Sequence, residues 1–188
     1  MLCFGMRRFP VYIHMLTSLC LATAAFANQE APKLDQLFAR LQIEGAEDWQ
    51  QTELAIVNQW SESGSATLDL LLRRAREALA TGDARLAVEH ATALIEHAPE
   101  FAEGWNARAT VYFHIGELDL SVRDIRQVLT LNPRHFGALS GLGLILEEVG
   151  ESQLALEAYQ AAHDLNPNRQ ETIEAIERLN IALGRFEI

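Results

Sequence analysis

The sequence predicts an all-α fold, an α-solenoid of stacked antiparallel helix pairs. Two markers sharing one period carry the prediction. Pro99, Pro133 and Pro167 stand 34 residues apart, and so do Gly82, Gly116 and Gly150. An acid follows each glycine, at Asp83, Glu117 and Glu151. Repetition at this period marks an array of like units, each unable to bury its apolar face alone.

Placing the proline at position 32 of a 34-residue unit frames three repeats, 68–101, 102–135 and 136–169. Position 8 is Ala75, Ala109 and Gly143, and position 20 is Ala87, Ser121 and Ala155. Small side chains at both positions let two helices cross closely. Position 4 is larger: Leu71, Trp105 and Leu139. The glycine ends the first helix by taking the left-handed conformation. The acid after it sits where the dipole of the second helix favours negative charge. Leu118, Val122, Ile125, Val128 and Leu129 trace one face of that second helix in the middle repeat. Leu131-Asn132-Pro133 and Leu165-Asn166-Pro167 close it, because proline biases the residue before it away from helix.

In length and in its order of small, large, Gly and Pro positions, the chain resembles the tetratricopeptide repeat family. It departs from the family at two positions. Position 27, Ala in the family, is Leu94 and Val128 before Ala162. Position 7, apolar in the family, is Arg74 and Arg108 before Leu142. The first repeat is the weakest, with Ala78 and Ala91 at positions 11 and 24. These departures bear on local packing rather than architecture.

The flanks complete the stack. Residues 28–67 read as a tail and a divergent helix pair. Leu34, Leu37, Phe38 and Leu41 form one helical stripe; Trp49, Ile56, Val57 and Trp60 form the other. Residues 61–65, with Gly64, connect this pair to the first repeat, on which it is expected to pack as an N-terminal cap. Residues 170–188 predict a solvating helix from about Gln170 to Leu183, with Ile173, Ile176, Leu179 and Leu183 on its apolar stripe. A stack of repeats needs such a cover over its last open face. The expected total is nine helices and no strand.

Residues 1–27 read as a signal peptide: Arg7 and Arg8, an apolar run, then Ala25-Phe26-Ala27 with small residues at −3 and −1. Cleavage after Ala27 would place the chain in the periplasm or outside the cell. The alternative is retention of residues 9–27 as a membrane anchor, against which Pro10, His14, Thr17 and Ser18 count. Cys3 and Cys20 both lie in this segment, so a cleaved chain has no disulfide and no cysteine metal site.

Formal charge is −11, from 15 basic and 26 acidic residues. Loss of residues 1–27 takes two arginines and no acid, leaving −13. Such a body opposes phosphate-backbone binding and anionic lipid. No nucleic acid and no membrane contact after cleavage are therefore expected. No phosphate loop, nucleophile elbow or zinc spacing occurs, and no mature histidines stand in HxxxH spacing. Neither cofactor, metal nor catalytic residue is assigned.

A repeat stack curves and leaves a concave surface lined by its first helices. By the family resemblance, positions 2, 5, 9, 12 and 13 face this groove. They are Asp69, Leu72, Arg76 and Leu79; then Glu103, Asn106, Thr110, Phe113 and His114; then Gly137, Ser140, Leu144, Glu147 and Glu148. The candidate peptide-binding residues are Arg73, Arg76, Asn106, Thr110, Phe113, His114, Ser140 and Leu144. The Asn106 amide can bond a peptide backbone without selecting its sequence, or can bond within the fold. Phe113 offers an apolar anchor. Arg73 and Arg76 either hold a carboxylate or pair locally with Glu77 and Asp69. Trp105 is read as core. Some relatives grip a C-terminal carboxylate with a Lys/Asn/Arg clamp; Leu72, Gly137 and Gly141 replace the basic residues of that set, so no such clamp is expected. The reading is an exported adaptor or scaffold that binds a protein or peptide partner without catalysis. The alternative is a membrane-tethered envelope assembly factor.

Overall fold

The computed structural model describes residues 33–185. The signal-peptide reading of residues 1–27 therefore lies outside the described residues. By its contacts the chain divides between Gln36 and Leu37. Of the part before this point, residues 33–36 are described and helical. The part after it contains the repeats.

Residues 33–41 are helical (α1). Then follow α2 (Trp49–Trp60), α3 (Ala66–Ala80), α4 (Ala84–His97), α5 (Ala102–His114), α6 (Leu118–Leu131), α7 (Phe136–Glu148), α8 (Ser152–Leu165) and α9 (Gln170–Ala182). No strand occurs among the described residues. The pairs α3–α4, α5–α6 and α7–α8 are the three repeats, and from α3 onward each helix packs on the next.

The periodic glycines act as expected. At the end of α3, Gly82 N–H donates to Leu79 O at 3.0 Å and Asp83 N–H donates to Ala78 O at 2.9 Å. Gly82, Gly116 and Gly150 have φ of 83°, 78° and 84°, a conformation that costs an L side chain about 1–2 kcal/mol. The acids behind them differ. Asp83 caps α4 by accepting from Leu86 N–H at 3.0 Å. Glu117 and Glu151 occupy the same place with no side-chain cap bond, because glutamate is rarely short enough to fold back onto the first amides.

Small residues hold the pairs together. Ala75, Ala87, Ala109 and Ala155 are buried at the crossings. Leu94 and Val128, the bulky departures at position 27, are fully buried. The other departure explains itself at Arg108. Its guanidinium meets Asp124 at 2.7 and 3.1 Å and lies over Trp105 and Tyr112. A charge entered the core because its counter-charge, 16 residues on, entered with it. Arg74, at the same position of the first repeat, stays exposed.

The N-terminal helix pair is placed differently from expectation. Instead of capping the first repeat, residues 38–60 run along the turns that join the second repeat to the third, and the third to α9. Trp60 stacks on His135 at 4.6 Å and lies 5.1 Å from Phe136. Arg134 sits over the Phe38 ring. Asn168 donates to Leu41 O and Ile43 O at 2.9 and 3.0 Å and accepts from Gly45 N–H at 2.7 Å. Asn166 donates to Glu53 at 2.6 Å. The Asn-Pro turns expose polar edges that a partner of this kind satisfies.

At the far end α9 covers α8. Of the expected stripe, Ile176, Leu179 and Leu183 pack in the core shared with α8, and Thr172 and Ala175 are buried beside them.

Candidate functional site

An open notch of about 120 Å³ lies between α5 and α7. Asn106, Thr110 and Phe113 form one wall, Gly137, Gly141 and Leu144 the other, and Ile125 of α6 the floor. Gly141 leaves the notch open. A Cβ on Gly141 would meet nothing closer than Ile125 Cδ1 at 3.9 Å, so the space beside it is unfilled rather than forbidden. Leu144 is 45% exposed there, an apolar side chain left at the rim.

The notch opens into a wider trough of about 510 Å³ along α7 and α9, sharing Gly137, Gly141 and Leu144. Ser140, Tyr159, Arg169, Glu171, Glu174 and Arg178 line it. Ser140 Oγ is buried without a hydrogen-bond partner. Arg178 donates twice to Glu147, at 2.9 Å each. These bonds hold the Glu147 carboxyl below its ordinary range despite partial burial. Burial and the same Glu147 push the Tyr159 hydroxyl up to about 12. A third opening under α2, lined by Gln50, Leu54 and Val57, shares Arg169 and Glu171 with the trough.

Five candidate residues, Asn106, Thr110, Phe113, Ser140 and Leu144, thus meet in one continuous surface. The others fall outside its lining. Arg73 is exposed on α3. His114 is exposed, its Nδ1 2.8 Å from Thr110 O. Arg76 is exposed but already paired: it bonds Ser61 at 3.1 Å and Glu103 at 2.5 Å. Two residues placed on the groove by family position are buried instead. Leu72 joins the core with Ala75, Leu94 and Ala107. Glu103 is 2% exposed, ringed by Arg76, His135 at 2.8 Å and Asn106 at 3.4 Å. Burial alone would raise the Glu103 pKa, but His135, Arg76 and Asn106 hold it below 4.5. His135 Nδ1 accepts from Ala138 N–H at 3.0 Å, so Nε2 carries the hydrogen and donates to Glu103.

Sequence reasoning missed Glu171, Glu174 and Arg178 as groove residues. They sit on α9, which pattern marks only as a cover. No three His, Cys, Asp or Glu side chains gather as a metal site among the described residues. No helix among them is long and apolar enough to cross a membrane.

The sequence profile of the family described as tetratricopeptide repeat matches residues 72–125 and 116–169. A TPR repeat-containing protein of Rhizobium etli is 37% identical over 182 residues, covering 90% of this chain and 89% of that protein. Small glutamine-rich tetratricopeptide repeat-containing protein 2 of Saccharomyces cerevisiae is 28% identical over 119 residues, 63% of this chain; the alignment spans 34% of that relative's length. Among solved structures, the first TPR of Spaghetti bound to an HSP90 peptide superposes with a TM-score of 0.60 at 20% identity, covering 62% of this chain and 93% of that one. The TPR2B domain of yeast Sti1 in complex with pHsp70 gives 0.58 at 21% identity, covering 63% and 99%. At these identities the likeness is one of fold.

Proposed function

Because the chain belongs to the tetratricopeptide repeat family, we propose that it is an exported adaptor that holds a segment of another protein along the α5–α7–α9 trough and does no chemistry itself. The observation that carries this reading is the notch. Gly141 leaves an apolar opening walled by Phe113 and Leu144. Such an opening is a place for a partner's side chain. The solved neighbours described with an HSP90 peptide and with pHsp70 support peptide capture as a use of this fold. Export rests on the signal-like pattern of residues 1–27.

The test is site-specific cross-linking. A photoreactive residue at Thr110, in the notch, should yield a reproducible adduct in the native host. One at Gln160, exposed on α8, should not yield that adduct. Gly141→Leu should remove the Thr110 adduct by filling the opening. An adduct equally strong at both positions, or indifferent to the plug, would remove the groove from the reading. N-terminal sequencing of the same material tests export: a start at Asn28 agrees with cleavage, whereas an intact leader in the membrane fraction favours the tether.

A further inference from the structure

We infer that the trough selects a basic segment: an aliphatic side chain seated in the α5–α7 notch, with a lysine or arginine reaching the acids of α9. The inference deepens the groove reading above and rests on it. Its basis is which hydrogens and which charges along the groove are already committed.

At the notch, Thr110 Oγ1 donates to Asn106 O at 2.8 Å, so its hydroxyl has only lone pairs left to offer. One Asn106 amide hydrogen is directed at Glu103 Oε2. An ionised carboxylate can only accept, which assigns the amide nitrogen to that side and leaves Oδ1 as a free acceptor. The notch therefore offers oxygen lone pairs beside an apolar opening of about 120 Å³, room for one aliphatic side chain.

Along the trough each cation already faces an acid. Arg178 is held at two of its three guanidinium nitrogens, Nε and Nη2, by Glu147. Arg169 lies 3.8 Å from Glu53. The acids are not matched in the same way. Glu171 stands exposed in the first turn of α9. Glu174 accepts from an uncharged donor, Gln170 Nε2, at 3.0 Å, and shares the field of Arg178, whose guanidinium is hydrogen-bonded to Glu147 rather than to it. An incoming carboxylate would face two carboxylates and guanidinium groups that already have partners. An incoming ammonium or guanidinium would find acceptors on both sides. The formal charge of −11 adds a long-range attraction of the same sign.

The experiment measures fluorescence anisotropy with two labelled peptides, one alternating leucine and lysine pairs, the other its charge inverse with glutamate for lysine. The protein is used as its host processes it. Binding of the lysine peptide should weaken on the order of tenfold with Glu171→Lys plus Glu174→Lys. It should be lost with Gly141→Leu, which changes no charge. A control pair on other helices, Glu89→Lys plus Glu157→Lys, should change it little, separating groove recognition from attraction to an acidic body. Circular dichroism melts establish that each variant is folded. If the glutamate peptide binds as tightly or better, and Gly141→Leu abolishes that binding, the charge preference is overturned while the groove stands. If neither peptide binds, or binding ignores the plug, the groove reading falls as well.

Discussion

The Cβ that Gly143 lacks would stand 2.9 Å from the ring of Tyr159. The ring fills the space a side chain on α7 would need, so α7 and α8 touch through a glycine. Gly143→Ala must displace the ring and is expected to cost about 1–3 kcal/mol. Gly141→Ala, two residues earlier on the same helix, meets only Ile125 Cδ1 at 3.9 Å. There the gain in helix propensity, roughly 0.5–1 kcal/mol, should prevail. Urea unfolding should shift the two midpoints in opposite directions. Shifts of the same sign would contradict the close crossing.

Arg108 and Asp124 form a buried pair between α5 and α6. Removing either partner leaves a charge in the core, so Asp124→Ala should destabilise by about 3–5 kcal/mol. Arg108→Met with Asp124→Leu removes both charges and should lose much less. A double-mutant cycle by thermal denaturation measures the coupling. Additive single effects would show that the two charges do not depend on each other.

Glu103 makes the stack acid-sensitive. Its folded pKa is lowered from 4.5: burial opposes the charge, and His135, Arg76 and Asn106 together outweigh that opposition. The folded chain then binds fewer protons at this site than the unfolded chain. Its contribution is present above pH 4.5 and is lost as pH falls through the lowered value. Glu103→Gln should cost about 1–3 kcal/mol at neutral pH, because it weakens hydrogen bonds to buried partners. It should also flatten the acid limb of Tm against pH. An unchanged acid limb would place the sensitivity elsewhere.

Tyr159 reports the α7–α9 contact from the alkaline side. Burial first, then the Glu147 carboxylate, push its pKa from 10.0 up to about 12. Between these values the unfolded chain loses the proton and the folded chain keeps it, so stability falls as pH rises through that window. Glu147→Gln should move the tyrosinate step at highest pH part of the way back toward 10.0, burial keeping the rest of the shift. Absorbance titration reads the shift directly. A titration unmoved by the substitution would mean that Glu147 does not act on this hydroxyl.

The repeat frame was legible in the sequence because its markers have local causes. A glycine that must hold a φ near 80° and a proline that cannot extend a helix act on their own neighbours. The notch was half legible: Asn106, Thr110, Phe113 and Leu144 were found from repeat position, whereas its floor residue Ile125 reads only as core. Position alone also put Leu72 and Glu103 on the groove, where the fold buries both.

Residue chemistry read along the chain is thus enough for the helices, their order and the close crossings. It could not tell which polar groups would be left over, because pairing depends on distant partners. Glu103 is closed off by a histidine 32 positions away, and Asn166 finds Glu53 at a separation of 113. The N-terminal helix pair lies along the repeat turns because their unpaired polar groups need satisfying, and no local pattern carries that need. The same pairing sets Glu147 and Glu53 against the trough's arginines and leaves Glu171 and Glu174 on its lining, the arrangement from which the proposed preference for a basic segment follows.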